Sequence, residues 1–501
     1  MRERTPAMDA AFVPKPVSVT RLDYTFLLRV FLGIGVMFLI FSPFSKDPFA
    51  FAAGGFVPAV VMWLIGRPTM PASVIYLVLW QWAQTFARVL QTLADGEALG
   101  AGLYGPNVER AYWYMLASVV ALALAFRLVL GRLAPPSPES RVAHTLWQPQ
   151  DLVLLYLGTM AISTMARFAS GISSGLAQPM QSLQYLKVLA LFLMFTSVMM
   201  TGKGGKFVLI VFLFEVLSGF TGILSDFKAV FIQFGIAALA VRIRWTAIMG
   251  VMSVLWLTVL VVLALFWTGV KMEYRQIATG SDESQEIRTS LSDRLGYLGG
   301  RALSPGSIDW GEAAYALLIR FAYVDIFGSV IGVQENSPEP GTMPQWSDAI
   351  SHVTQPRFLF PDKPVLSDTE VYVRLAKGSS TERMRDGTSI SVGYMAENFV
   401  DLGFPGMLAG ILMVGLLQAG VCRYVMTRKN LPWMVREGTV LVFIYSIARD
   451  GVEMSLPKMI GAITMFFLVY LLLIRFGYPR ALDWLNRPAA RPKAASTRAR
   501  T

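Results

Sequence analysis

Apolar residues concentrate in twelve stretches of the chain, and we interpret each stretch as a membrane-spanning helix. The hydrocarbon core of a bilayer is about 30 Å thick and is crossed by about 20 mostly apolar helical residues. The first stretch is longer than the apolar core of a signal peptide, which is about 7–15 residues, so we predict a retained helix. The stretches are 24–42, 49–65, 72–94, 112–130, 150–168, 181–200, 205–220, 222–241, 245–269, 396–420, 435–449 and 458–476.

The distribution of Lys and Arg predicts how these helices are oriented. Cytoplasmic loops of membrane proteins are enriched in both residues. If both termini are cytoplasmic, the parts on that side carry 23 Lys and Arg with 6 Asp and Glu, whereas the short loops on the other side carry 3 and 6. We therefore predict a multi-pass protein with both termini in the cytoplasm. The net charge of +11 then reflects topology and does not indicate a nucleic-acid partner.

One long segment remains on the external side. Residues 270–395 carry 12 Lys and Arg with 16 Asp and Glu and separate the ninth predicted helix from the tenth. Residues 311–331 within it are apolar but contain Arg320 and Asp325, so we expect a helix on the membrane face or a buried one, not a thirteenth span. The predicted units are helices 1–9 over 1–269, a large periplasmic loop over 270–395, helices 10–12 over 396–476, and a basic cytoplasmic tail over 477–501.

The composition supports the same fold class, an all-α polytopic membrane protein. Hydrophobic residues make up 54% of the 501 residues and charged residues only 15%, whereas a soluble domain has about 25% charged residues. An ordinary water-soluble domain is therefore excluded. One cysteine and two histidines leave no disulfide framework and no Cys/His metal site.

Ionisable residues inside the predicted helices indicate where function lies. Such groups cost several kcal/mol unless they are paired or hydrated, although some reach the interface or form structural pairs. Nine of them fall in the external half of the helices, which predicts a water-filled cavity open to the outside. Its cations favour an anionic ligand such as a phosphate. The nine residues are Arg88, Arg167, Lys187, Glu215, Asp226, Lys228, Glu397, Asp401 and Arg449.

Three stretches of the external segment contain candidate functional residues. KMEYR, residues 271–275, follows the ninth predicted helix. QPRFLFPDKP, residues 355–364, has three prolines that restrict the backbone around Arg357 and Lys363. GTSISVGYMAENFVDLGFPG, residues 387–406, leads into the tenth predicted helix, and its glycines allow turns or close backbone approach.

With these motifs, residues 200–420 resemble the O-antigen and exopolysaccharide repeat-unit polymerases of bacterial inner membranes. The likeness rests on many spans, one large late periplasmic loop, a YR after a span, a PR and KP run, and the E-x-F and G-x-PG pattern of the next helix. It implies transfer of a glycan from an undecaprenyl-diphosphate carrier to another lipid-linked unit, with roles for Arg275, Arg357 and Glu397. The related O-antigen ligases use a histidine in the equivalent loop, where this chain has His352.

Such a transfer leaves a charged diphosphate, which a metal or fixed cations must stabilise. The sequence contains no metal-ligand cluster, so we expect cations to do this with no metal and no cofactor. The acceptor hydroxyl also needs a base. The candidate bases are Glu397, Asp226, Glu215 and His352. The candidate diphosphate or substrate ligands are Arg275, Arg357, Lys363, Arg88, Lys228 and Arg449.

Each candidate also has a structural interpretation. Arg275 could anchor a helix at the interface, Glu397 could be a first-turn acid favoured by the helix dipole, and His352 could be an ordinary surface histidine. The resemblance implies three partners: an undecaprenyl-diphosphate-linked oligosaccharide, the bilayer and a chain-length regulator protein.

Other functions fit the topology as well. A ligase-like transferase uses the same carrier and the same kind of loop. A multi-span transporter or flippase for lipid-linked oligosaccharide usually has two similar halves, but the long loop here has no counterpart in the first half. A polyprenyl-phosphate-dependent glycosyltransferase would place an acidic pair in the first external loop, which has only Asp47. A membrane scaffold would leave the nine charges unexplained.

Overall fold

A computed structural model describes most of the chain. The described residues are 24–101, 105–172, 177–221, 226–243, 246–280, 287–336, 343–355, 360, 363, 367–377, 390–448 and 450–487. Over these residues the chain forms helices joined by turns and short irregular segments, and they include no β-strand. The all-helical prediction is therefore confirmed.

The first half of the chain and the long helix that follows it form eleven helices. These are α1 Tyr24–Phe41, α2 Pro48–Ile65, α3 Ala72–Asp95, α4 Pro106–Leu130, α5 Pro138–Val142, α6 Pro149–Ile172, α7 Ala177–Leu183, α8 Leu186–Thr201, α9 Gly205–Phe220, α10 Lys228–Val241 and α11 Ala247–Thr279.

The remaining nine helices comprise the external segment and the C-terminal helices. These are α12 Leu291–Leu303, α13 Trp310–Phe321, α14 Val324–Asn336, α15 Pro344–Thr354, α16 Asp368–Lys377, α17 Tyr394–Met426, α18 Trp433–Ala448, α19 Leu456–Leu472 and α20 Tyr478–Leu485. A π-helical turn, Leu473–Gly477, joins α19 to α20.

Every predicted apolar stretch contains helix among its described residues, but fewer than twelve of the described helices are long and apolar enough to cross a membrane alone. Among the described residues eight helices meet that condition, or nine if the pair α13 and α14, bent by 48°, is one span. Helices α9, α10 and α18 have only 16, 14 and 16 residues. Helix α3 is long enough, but polar residues interrupt it. Twelve spans and the periplasmic position of the loop remain predictions.

Helices α18 and α11 show opposite uses of an apolar sequence. All residues of α18 except Ser446 are buried, because α3, α8, α17 and α19 pack around it. Its run of residues 440–444 is apolar on every side, which is stable in such a core. In contrast, no residue in the most apolar window of α11 is buried. That part of α11 is suited to face lipid.

Helix α3 carries a polar stripe that contacts α14 and α17. Gln81, Gln84 and Arg88 follow one another at intervals of three and four residues and so share one face. The Gln81 Oε1 atom accepts a hydrogen bond from the Tyr394 hydroxyl at 2.6 Å. The Arg88 Nε atom lies 3.0 Å from Asp325 Oδ1 at the start of α14. This stripe aligns α14 and α17 against α3.

The first two turns of α17 are separated from its remainder by a break at Gly403 and Phe404. Just before the break, Asp401 accepts hydrogen bonds from the backbone N–H groups of Gln345 at 3.1 Å and Trp346 at 2.8 Å. These N–H groups belong to the first turn of α15 and have no partner within their own helix. Asp401 therefore caps α15 from another helix.

This contact leads to a prediction about stability. We expect Asp401→Ala to lower the free energy of unfolding by about 1–2 kcal/mol, because two N–H groups lose their acceptor. Thermal unfolding of the purified full chain in detergent measures the change. Asp348→Ala is the matched control, since Asp348 is an exposed acid of α15. Equal midpoints for the two variants would contradict the capping role.

Candidate functional site

A cavity of about 260 Å³ lies among α3, α10, α11, α13, α18 and the segment that connects α18 to α19. We refer to the described part of that segment, residues 450–455, as the 450–455 loop. The charged and polar residues that line the cavity are Tyr76, Gln84, Asp226, Lys228, Thr268, Lys271, Arg275, Arg320, Tyr445, Asp450 and Glu453. Apolar and aromatic residues, including Trp80, Phe227, Ile232, Ala264 and Trp267, complete the wall.

One face of α11 forms a continuous part of this wall. Its lining residues are Ala264, Trp267, Thr268, Lys271 and Arg275, with the spacing of a single helical face. From the first to the last of them the helix rises by about 16 Å, at about 1.5 Å per residue. The wall changes along this distance from apolar to strongly cationic. The cavity can thus accommodate a charged group at one end and hydrocarbon at the other.

Four cations from three helices meet in the cavity. Lys271 lies close enough to Arg320, Arg275 and Lys228 to be repelled by their charges. Like charges near one another in a partly buried site raise the energy of the empty cavity. An anion bound among them would offset that repulsion. Three carboxylates, Asp226, Asp450 and Glu453, line the same cavity.

The short helix α10 explains why two of the lining charges lie so deep. Its 14 residues span about 21 Å of a hydrocarbon core that is about 30 Å thick. If the Val241 end lies at the membrane surface, the other end stops short of the opposite surface. Asp226 and Lys228 at that end then require a polar cavity. The Tyr445 hydroxyl supports Asp226 by donating to its Oδ1 atom at 3.2 Å.

The 450–455 loop is held against α3 through Gln84. The Gln84 Oε1 atom accepts a hydrogen bond from Val452 N at 3.1 Å, and its Nε2 atom donates to Glu453 Oε1 at 3.4 Å. Gly451 has φ +60° and lies so close that a Cβ atom there would come within 1.9 Å of Gln84 Oε1. The glycine thus permits the close approach that places Glu453 in the cavity.

The same loop is held by the start of α17. The backbone N–H of Tyr394 donates to the carbonyl of Met454 at 2.8 Å. Glu397, which is 1% exposed, accepts a hydrogen bond from the backbone N–H of Leu456 in the first turn of α19. Glu397 therefore lies outside the cavity wall and caps α19. This contact fixes the start of α19 relative to the 450–455 loop.

The protonation of Glu453 reflects its surroundings. Burial, reinforced by the nearby negative charge of Asp450, raises the pKa of Glu453 to about 7. Arg320 and Lys228 act in the opposite direction and lower this pKa. Near neutral pH the carboxyl is consequently divided between its acid and its base form.

Several residues predicted for one common site lie apart from the cavity. Arg88 pairs with Asp325, as described above. The Lys187 Nζ atom lies 2.7 Å from Glu215, which also accepts from the Tyr156 hydroxyl at 2.5 Å. These two cations are therefore neutralised elsewhere in the helix bundle. Of the eight predicted membrane charges that the structure describes, Asp226 and Lys228 line the cavity.

His352 and Lys363 also lie in another environment. The His352 Nε2 atom is hydrogen-bonded to Gln178 of α7, where α15 rests on α7 and α19. The Lys363 ammonium donates to the backbone carbonyls of Ser351, His352 and Gln355 at 3.2, 2.8 and 3.0 Å. Cations are favoured at such a helix C-terminus, so Lys363 caps α15. Arg357 and Arg449 lie outside the described residues.

Sequence reasoning missed four charged residues that line the cavity. Lys271 lies four residues before Arg275 in KMEYR, and this spacing already places both on one helix face. Arg320 interrupts an apolar stretch, which is a recognisable signal. Asp450 and Glu453 are two of the 6 Asp and Glu residues in the predicted short external loops. Their sequence context does not distinguish them from solvated loop acids. Among the described residues there is no group of three or more His, Cys, Asp or Glu residues that could hold a metal ion.

The fold and the cavity together define the class of protein. In the part of the chain that the structure describes, the regular elements are helices, eight or nine of them are suited to crossing a membrane, and a charged cavity lies beside them. No protein-family model, curated protein or solved structure matches the chain.

Proposed function

We propose that the protein is a membrane glycosyltransferase that polymerises oligosaccharide repeat units carried on undecaprenyl diphosphate. The proposal places the reaction at the periplasmic face of a bacterial inner membrane. It assigns stabilisation of the leaving diphosphate to fixed cations. The donor is one lipid-linked glycan and the acceptor is a hydroxyl of another.

One observation carries the proposal: the face of α11 that lines the cavity changes from cationic to apolar. Lys271 and Arg275, together with Lys228 and Arg320, are opposite in charge to a diphosphate and can donate hydrogen bonds to its oxygens. Ala264 and Trp267 lie further along the same face, where a polyprenyl chain would continue into the hydrocarbon region. Fixed cations in a partly buried site stabilise developing charge strongly. A lipid-linked diphosphate therefore fits both ends of the site.

The aromatic residues of the cavity suit the glycan. Trp80, Tyr76 and Trp267 line it, and aromatic faces supply rigid contact area at low entropic cost. The three carboxylates supply acceptors for sugar hydroxyls.

Reconstitution tests the proposed reaction. We expect the purified full chain in proteoliposomes to convert undecaprenyl-diphosphate-linked repeat units into a ladder of longer lipid-linked glycans. Gel separation of radiolabelled glycans measures the ladder. Growth by whole repeat units supports the proposal, whereas transfer only to a different lipid acceptor would replace it with ligation.

A gene deletion gives a second test in cells. We expect the deletion strain to accumulate single repeat units on the carrier at the periplasmic side. Units confined to the cytoplasmic leaflet would instead indicate a flippase and would overturn the proposal.

A further inference from the structure

We propose that Glu453 is the base that accepts the proton of the acceptor hydroxyl in the cavity; this inference rests on the glycan transfer proposed above. Sequence reasoning assigned this role to Glu397, Asp226, Glu215 or His352. Only Asp226 among them lines the cavity. The carboxylates of the cavity that could act as the base are therefore Asp226, Asp450 and Glu453.

The cations that would surround a bound diphosphate also lie close to Glu453. Lys228 and Arg320 lie close enough to both Lys271 and Glu453 to act electrostatically on each of them. A diphosphate bound among the cations would thus lie next to the Glu453 carboxyl. The sugar attached to that diphosphate, and the hydroxyl that attacks it, would be within the same cavity.

The backbone of the 450–455 loop fixes this carboxyl in position. Gln84 binds both Val452 N and the Glu453 carboxyl, and Gly451 admits that contact. Tyr394 N binds the next residue, Met454. A catalytic base requires such support, because small displacements from the reacting atoms reduce the rate strongly.

Asp226 is less suited to the role because the Tyr445 hydroxyl donates to both of its oxygens, at 3.2 and 3.5 Å. It also lies two residues from Lys228, which is one of the four cations. Gln84 holds the Glu453 carboxyl directly, whereas the negative charge of Asp450 raises the pKa of Glu453.

The proposed glycan transfer needs no reactant other than the lipid-linked donor and the acceptor hydroxyl. The acceptor oxygen forms a bond to the anomeric carbon of the donor while its proton passes to the Glu453 carboxylate. The bond from that carbon to the diphosphate oxygen breaks, and its electron pair stays on the diphosphate among the cations. The proton on Glu453 is then released to water.

The environment of Glu453 matches this task near neutral pH. The charged or titratable groups that act on it are Asp450 of its own loop, Arg320 of α13, Lys228 of α10 and Tyr323 before α14. Lys271, Arg275, Asp226, Tyr76 and Tyr445 also face the cavity from α11, the start of α10, α3 and α18. Because the pKa of Glu453 is about 7, the base form increases as pH rises through this value.

Glu453→Gln tests the assignment. Glutamine keeps the size of the side chain and can still bond to Gln84, so the loop should stay in place. We expect chain growth in proteoliposomes to fall by about 100-fold or more, as for loss of a general base. Binding of undecaprenyl diphosphate, followed by native mass spectrometry of the purified protein, should remain within about threefold of wild type, about 0.7 kcal/mol.

The pH profile separates catalysis from support of the loop. In the wild type, chain growth should rise with pH through about 7, and Glu453→Gln should lose that limb. Asp450→Asn should move the limb to lower pH, because removal of a neighbouring negative charge lowers the pKa of Glu453.

The outcomes distinguish this inference from the proposed function. If the wild type elongates glycans and Glu453→Gln does so at the same rate with the same pH limb, Glu453 is not the base but polymerisation stands. If the wild type elongates nothing under any condition, the proposed function itself fails. Loss of both diphosphate binding and the folded state in Glu453→Gln would also overturn the catalytic assignment in favour of a structural one.

Discussion

Arg275→Ala should reduce the rate of glycan elongation in proteoliposomes by about 100- to 1,000-fold, as for loss of one fixed group that stabilises developing charge. Arg275 lies at the cationic end of the α11 face, where it acts together with Lys271, Lys228 and Arg320. The diphosphate gains negative charge as the glycosidic bond breaks. A fixed guanidinium therefore stabilises the transition state more than it stabilises the bound donor.

Arg275→Lys separates charge from shape. Lysine keeps the positive charge but lacks the planar fork that bonds to two oxygens at once. We expect this variant to retain more activity than Arg275→Ala, with a rate about tenfold below wild type. A Lys variant as inactive as the Ala variant would show that the geometry of the fork matters more than its charge.

Arg301→Ala is the matched control for these variants. Arg301 of α12 pairs with Glu273 outside the cavity wall, and a pair exposed in this way contributes about 0–1 kcal/mol. Its elongation rate should equal that of wild type. If Arg275→Ala and Arg301→Ala elongate glycans equally well, Arg275 does not bind the leaving group.

Hydrophobic patterning predicted the helical elements because each element depends on residues that are neighbours in sequence. The KMEYR motif was predicted to follow the ninth helix, whereas α11 continues through it to Thr279. Lys271 and Arg275 are therefore on one helical face. The lengths of the helices were less predictable. Helix α10 begins at Lys228, although the apolar stretch extends back to residue 222. Glycines and charges before Lys228 make the boundary ambiguous from composition alone.

The carboxylates were harder to assign because their roles depend on distant contacts. Glu397 stands at the start of a helix in any interpretation, but the N–H group that it caps belongs to a helix 59 residues later. Glu453 reaches the cavity because Gln84, 369 residues earlier in the chain, holds its loop. Neither contact leaves a local pattern.

Gly393→Ala should destabilise the protein more than the other variants considered for its fold. Gly393 has φ +83° and ψ 150° at the start of α17, a backbone region that is essentially restricted to glycine. Occupying it with another residue costs about 1–3 kcal/mol. A Cβ atom there would also lie 2.1 Å from the carbonyl oxygen of Val452. This oxygen belongs to the backbone and cannot rotate away as a side chain can. The 450–455 loop must therefore move.

Two measurements follow the consequence of that movement. The midpoint of thermal unfolding in detergent should fall, and glycan elongation should fall with it, because the displaced loop carries Glu453. Gly420→Ala is the control within the same helix, since no atom lies within 4 Å of a Cβ built there. Alanine favours helix over glycine by about 1 kcal/mol, so its midpoint should stay the same or rise. Similar midpoints for the two variants would show that α17 and the 450–455 loop are not in close contact, and the support proposed for Glu453 would be lost with that contact.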